Sequence, residues 1–286
     1  MTIKRIITMA IAFVVIGMSF QVRRADAAPI YGRVALSLDG NRHDCDDIAA
    51  SAVSIALLAK TGNASKLVYA GHSDHIWSSG KASECKGGSA SREQKMQDST
   101  AGTAKRYGGF NMGAFINAKQ NPNAAVDKLT AAINASTSTN PLAIIAGGPM
   151  EVVGRALAKA ASSKRKYVTV ISHSTWNEIH ADNPSRNESP QHRGWTLNDI
   201  RKMGSPPAIK ELPDQNSGLT PSFSAFHVWR DSSDSRLRWL WQRIQMQNSD
   251  GNKADISDAG MVAWLVDGRR SRDEQASASE IKALLD

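Results

Sequence analysis

Apolar residues in this chain fall into short compact runs separated by longer stretches with helical spacing. Arg33–Leu38 reads as a buried strand, and Asp47–Lys60 follows as a helix with Ile48, Val53, Ile55, Ala56, Leu57 and Leu58, closed by Gly62. Leu67–Ala70 is the next strand. It ends at Gly71-His72-Ser73-Asp74-His75, after which composition predicts loop to about Ser91. Helical patterns cover Arg92–Tyr107 and Ala124–Asn134. The strand Leu142–Ala146 then meets the turn Gly147-Gly148-Pro149 and a helix over Met150–Ala161. Tyr167–Ile171 is another buried strand, running into His173-Ser174-Thr175-Trp176-Asn177, and the polar run from Asp182 to Gly194 has no periodicity. Later, Ser222–Trp229 reads as one more strand, Ser235–Met246 and Ile256–Val266 as helices, and the charged tail Arg269–Asp286 as a peripheral helix. Repeated alternation of strand and helix predicts an α/β fold: a doubly wound, mostly parallel sheet with helices on both faces. Such sheets bind ligands beyond the carboxyl ends of their strands.

The first residues stand apart from this pattern. Lys4 and Arg5 precede an apolar run from Ile6 to Phe20 and then Ala25-Asp26-Ala27, the layout of a secretory signal peptide over residues 1–27. That run is shorter than the roughly 20 residues a spanning helix needs. Residues 28–286 are then one large domain, exported to the periplasm or beyond, with no membrane association after cleavage. The net charge of +8 includes +3 from the leader, leaving +5 that is scattered along the chain, a poor fit to a nucleic-acid surface. The two cysteines, Cys45 and Cys85, are too few for a cysteine zinc site, and an oxidising compartment permits them to pair.

Chemistry concentrates where the first strand gives way to the first helix. Asp39, Asp44, Asp46 and Asp47 crowd SLDGNRHDCDD, where carboxylates raise one another's pKa unless a cation compensates. Aspartate also caps helices, which accounts for Asp47 or Asp258 singly but not for the whole cluster. No Gly-x-Ser-x-Gly elbow, phosphate-binding glycine loop, Cys-x-x-Cys or helical His-x-x-x-His pair is present.

A strand leading into an aspartate-rich loop that ends in Asp46-Asp47 resembles the metal loop of the inosine-uridine nucleoside hydrolases. IIAGGPMEVVGRAL and ISDAGMVAWLV are similar to two further segments of that family, in the same order. The resemblance implies a nucleoside hydrolase-like fold and a calcium ion held by Asp46, Asp47 and Asp258, with Asp39 or Asp44 completing the loop set and a backbone carbonyl near Ala143 as a further ligand. It also implies water activated by that ion and a loop aspartate, Asp44 and Asp46 being the catalytic candidates, to cleave an N- or O-glycosidic bond. Four residues, at three places, depart from the family. Arg42 stands where its first loop aspartate falls, Ser257 where a histidine precedes the last metal aspartate, and Glu151-Val152 where Thr-Asn follows the Gly-Pro turn.

Residue types suited to sugar hydroxyls and ring faces follow the strands: His173, Trp176, Asn177 and His180; His72 and His75 beside Trp77; and Asn216 in Pro213-Asp214-Gln215-Asn216. Trp239, Trp241 and Trp264, at helical spacing, read as core. The expectation is a calcium-dependent hydrolase of a nucleoside, sugar-derived small molecule or oligosaccharide, in a chain that can self-associate as a homo-oligomer. A secreted carbohydrate-binding protein with structural calcium and a metal-dependent phosphoesterase are the alternatives.

Overall fold

Alternation along the strands divides the interior into two cores, and this division fixes where every other element lies. The computed structural model describes residues 30–40, 47–76, 88–182, 194–247, 253–267 and 274–286. The strands are β1 (Arg33–Leu38), β2 (Leu67–His72), β3 (Phe115–Asn117), β4 (Leu142–Gly147), β5 (Val168–Ser172) and β6 (Ala208–Glu211). They form one sheet in the order β3-β2-β1-β4-β5-β6, with each adjacent pair parallel. Val34, Leu36, Leu38, Ile145 and Ile171 point into one core, and Ala35, Tyr69, Ile144, Ala146, Val168 and Val170 into the other. With both faces covered, the central strands β1, β4 and β5 are largely apolar, as parallel sheets require.

The helices are α1 (Asp47–Lys60), α2 (Gly88–Gln97), α3 (Thr103–Tyr107), α4 (Pro122–Asn134), α5 (Glu151–Lys159), α6 (Ser162–Arg165), α7 (Thr175–Ile179), α8 (Leu197–Lys202), α9 (Asn216–Leu219), α10 (His227–Arg230), α11 (Ser235–Gln245), α12 (Ala259–Val266) and α13 (Ala278–Leu285). α1, α11, α12 and α13 close the first core, while α4, α5 and α8 close the second. α1 is buried along nearly its whole length, because sheet and helices enclose it on every side. Strand order runs outward from β1 through β2 to β3 and then resumes on the other side with β4, β5 and β6. The reversal lies between β1 and β4, where an open α/β sheet leaves a crevice at its carboxyl edge.

Several expectations are corrected. Ser222–Trp229 is not a strand: Phe223–Phe226 forms a 3₁₀ turn running into α10, which buries Phe226 and Trp229 on one side as alternation would not. The helix expected over Arg92–Tyr107 starts earlier, at Gly88, and is broken by a π-helical stretch at Asp98–Gly102, where the Thr100 hydroxyl bonds back to the Met96 carbonyl. Ile256–Val266 is helical only from Ala259, which leaves Asp258 at the N-cap. The tail is no peripheral helix, since Ile281, Leu284 and Leu285 of α13 are buried in the core that holds α1. Of the three tryptophans read as core, Trp241 is buried. Trp239 and Trp264 are half-buried, Trp239 donating from Nε1 to Thr103 Oγ1 at 2.8 Å with the Arg106 and Arg243 guanidinium groups over its ring. The leader, Trp77, Cys45 and Cys85 lie outside the described residues. Among the described residues no helix is long and apolar enough to cross a membrane.

Ile281 is fully buried. Ile281→Ala should therefore cost about 2–5 kcal/mol of stability, read from urea unfolding, whereas a surface helix would register almost nothing.

Candidate functional site

The loops that leave β1 and β2 at the carboxyl edge each carry an aspartate whose backbone neighbouring strands hold in place. Asp39 follows β1; its backbone N–H donates to the Gly147 carbonyl at 3.1 Å, and its own carbonyl accepts from Ser73 N–H at 2.9 Å. Asp74 follows β2; its N–H donates to the Leu38 carbonyl at 3.0 Å, and its Oδ2 accepts the Ser37 hydroxyl at 2.6 Å. Asp47 opens α1, and Asp258 precedes α12. Asp39, Asp47 and Asp74 are at most 1% exposed and Asp258 5%, so four carboxyl groups are withdrawn from water.

The turn after β4 shows how closely three of them pack. A Cβ added to Gly147 would lie 3.2 Å from Asp258 Cγ, and one on Gly148 would lie 2.5 Å from Asp74 Oδ1 and 3.0 Å from Asp39 Cβ. Only glycines leave room for carboxylates on both sides of this turn. Asp47 lies near enough to Asp258 to help hold that carboxyl in its ionised form. Side chains from the first and last parts of the chain thus flank the same turn.

Asp258 occupies an N-cap position but makes no capping bond. Its Oδ1 instead lies 2.7 Å from His173 Nε2 and accepts from Asn177 Nδ2 at 3.3 Å. The Gln215 backbone N–H donates to His173 Nδ1 at 3.3 Å, which places the proton of a neutral ring on Nε2, facing Asp258. Asp214 Oδ1 stands 3.6 Å from the same Nδ1, at the solvent side. Burial alone would lower the His173 pKa, but the bond and charge of Asp258, aided by Asp214, raise it above the ordinary histidine value. For Asp258 burial works upward, and His173, with Asp47 and Asn177, holds the carboxyl below the usual range. Asp74 behaves oppositely: burial, only partly offset by Ser37 and reinforced by the charge of Asp258, pushes it up to about 7.

Farther along the rim, His75 and His180 are both buried with their Nε2 atoms 3.2 Å apart, and Trp176 crosses the His180 ring at 3.7 Å between centroids. Two non-glycine residues here adopt the left-handed region, Ser73 at φ 59° after β2 and Ser174 at φ 71° after β5. Strain of this kind gathers at functional sites.

No family model matches the chain. Over 267 residues it is 33% identical to uncharacterized protein P22 of Formosa agariphila, a match spanning 90% of this chain and 92% of that protein. The chain belongs to the family of that protein. Among solved structures it is similar to a plant nucleoside hydrolase (TM-score 0.47, 8% identity, 82% of this chain and 78% of the other). It is also similar to an inosine-guanosine nucleoside hydrolase (TM-score 0.46, 10% identity, with the same coverage). Likeness of this degree carries no weight for activity or substrate, which rest on the residues themselves.

In this member of the P22 family, Asp39 and Asp258 flank the adjacent Gly148 and Gly147, with His173 and Asn177 on Asp258. Trp176 lies beside the His75–His180 pair instead of on the carboxylates. His72 is turned toward Thr100, 3.3 Å from its Oγ1, and burial lowers its pKa to about 4. Asn216 reaches the group only through Asp214, to whose Oδ1 it donates at 2.6 Å. Asp44 and Asp46 lie outside the described residues. Sequence reasoning missed Asp74, Ser37 and Gln215; the polar run GHSDH directly after a strand was the available signal for Asp74.

Among the described residues no three His, Cys, Asp or Glu side chains are gathered as the ligands of one ion. The fit to a cation therefore rests on the donor set. It is all oxygen and strongly anionic, it contains a buried carboxylate oxygen, Asp74 Oδ1, with no hydrogen-bond partner, and a histidine and an amide back one member. That set suits a hard cation such as calcium. Gly148→Ala drives a methyl into the Asp74 carboxyl and against the Cβ and backbone of Asp39. It should cost about 1–3 kcal/mol in urea unfolding, while alanine at Gly204, whose Cβ would meet nothing within 4 Å, stays near neutral.

Proposed function

We propose that this chain is an exported, calcium-dependent hydrolase that cleaves an N- or O-glycosidic bond of a nucleoside or other sugar-derived substrate. The observation that carries the reading is the approach of Asp39 and Asp258, more than two hundred residues apart in the chain, to the adjacent glycines Gly148 and Gly147 at the carboxyl edge of the sheet. Asp39, Asp47 and Asp258, with Asp46, would hold the ion. When bound, it supplies the positive charge that lets these carboxylates stay ionised together and that acidifies a water beside the sugar.

The chain's own residues account for the remaining roles. A loop aspartate, Asp39 or its neighbours Asp44 and Asp46, accepts the proton of the attacking water. Buried carboxylates stabilise the positive charge that develops on the sugar ring as the glycosidic bond lengthens, more strongly than the same groups would in water. His173 holds Asp258 in one orientation through Nε2, and Asn177 fixes it from a second direction. Trp176, with His180 and His75, offers an aromatic and polar wall for sugar or base. The basic, apolar leader and its small-residue cleavage site support export.

The protein is assayed for reducing-sugar release from nucleosides and glycosides, with p-nitrophenyl phosphate alongside. Release from one of the sugar substrates should vanish on chelation and return with calcium. Asp47→Asn should lower kcat/KM by about a hundredfold or more, and His173→Ala by roughly 10–100-fold. Phosphate release alone would overturn the glycosidic reading. No turnover, together with sugar-dependent thermal stabilisation, would favour a carbohydrate-binding protein instead.

A further inference from the structure

Asp74 has no place in the resemblance that suggested the ion, yet it is the most completely enclosed acid of the group. It is 0% exposed. One of its oxygens, Oδ2, is tied to the Ser37 hydroxyl at 2.6 Å, and its backbone N–H is tied to Leu38 of β1. The other oxygen, Oδ1, has no hydrogen-bond partner and faces the β4 turn, 2.5 Å from where a Cβ of Gly148 would be. On the same turn, Asp39 flanks Gly148 and Asp258 flanks Gly147, and adjacent Cα atoms are only about 3.8 Å apart. A buried acceptor left without a donor, on a turn that Asp39 and Asp258 also flank, has the surroundings of a ligand oxygen; in a purely structural role a hydrogen bond would satisfy it.

We propose that Asp74, anchored by Ser37, is a ligand of the same cation through Oδ1, so that β2 contributes to the site along with β1, α1 and the start of α12. The inference rests on the cation reading given above. A further anionic oxygen raises the demand for a small, hard, multiply charged ion and selects against monovalent ones.

Calorimetric titration of chelator-stripped protein with calcium chloride tests it, with the calcium-induced rise in Tm as a second readout. Wild type binds. Asp74→Asn loses at least about tenfold in affinity and most of the Tm rise, and Ser37→Ala, which keeps the carboxylate but frees it, loses severalfold. Asp231→Asn, an exposed acid paired with Arg230, is unchanged. If Asp258→Asn destroys binding while Asp74→Asn and Ser37→Ala bind like wild type, the assignment of Asp74 is overturned and the cation reading stands. If wild type itself takes up no calcium, both fall. Should Asp74→Asn not fold, Ser37→Ala decides: unchanged affinity overturns the assignment, and a severalfold loss supports it.

Discussion

Confinement of like charges governs the carboxyl edge of this sheet. Asp39, Asp47, Asp74 and Asp258 are nearly or wholly withdrawn from solvent, and in such surroundings neighbouring carboxylates resist being ionised together. Two local devices ease the conflict. His173 and Asn177 hold Asp258 as an anion, while Ser37 offsets only part of the burial that drives Asp74 upward. The group is therefore asymmetric, with one carboxylate fixed in its charge state by its neighbours and another whose state depends on what else occupies the crevice. The cation proposed for this site would resolve that dependence by favouring the ionised form of every member at once.

The scaffold makes such crowding tolerable because it leaves the acids little freedom to separate. Strand alternation that fills two cores stops abruptly at the carboxyl edge: Leu38 gives way to Asp39, and Ile171 and Ser172 to His173. Backbone bonds running Asp39 to Gly147, Ser73 to Asp39 and Asp74 to Leu38 lock the loop starts of β1, β2 and the β4 end to one another. Gly40, at φ +88°, lies under Met96, where a Cβ would come within 2.3 Å of its sulfur, so α2 closes over the same corner. Left-handed Ser73 and Ser174 are further signs that tertiary packing overrides local preference here. Stability stored in two large cores is what allows a small region to be held against its own repulsion.

Much of this was legible in the chain and some was not, for identifiable reasons. β1 and α1 agree with their sequence patterns to the residue, because a compact apolar run followed by a long helix-spaced one leaves no competing assignment. β3 and β6 are short edge strands with no fully buried residue, so they carry no apolar signal, and Ser222–Trp229 looked extended only because aromatic residues mimic strand composition. Asp258 was found through its segment's resemblance, but its use was visible only in three dimensions, where a capping position turned out to make no cap. Asp74 was overlooked because a single acid in a polar loop has no sequence signature; its importance comes from the approach of Gly148, more than seventy residues later.

His173 illustrates how spatial neighbours can take over from sequential ones. Read alone, a histidine after a parallel strand suggests direct contact with a sugar. Here its two ring nitrogens are engaged, Nε2 with Asp258 and Nδ1 with the Gln215 amide and, at longer range, Asp214. A ring committed in this way orients a carboxylate; it has no donor or acceptor left over for a substrate hydroxyl. In the resembled family a histidine immediately precedes the last metal aspartate, whereas Ser257 does so here, and the imidazole next to Asp258 comes instead from the end of β5. His75 and His180, by contrast, face each other through their Nε2 atoms at 3.2 Å beside Trp176, which leaves them clear of this contact.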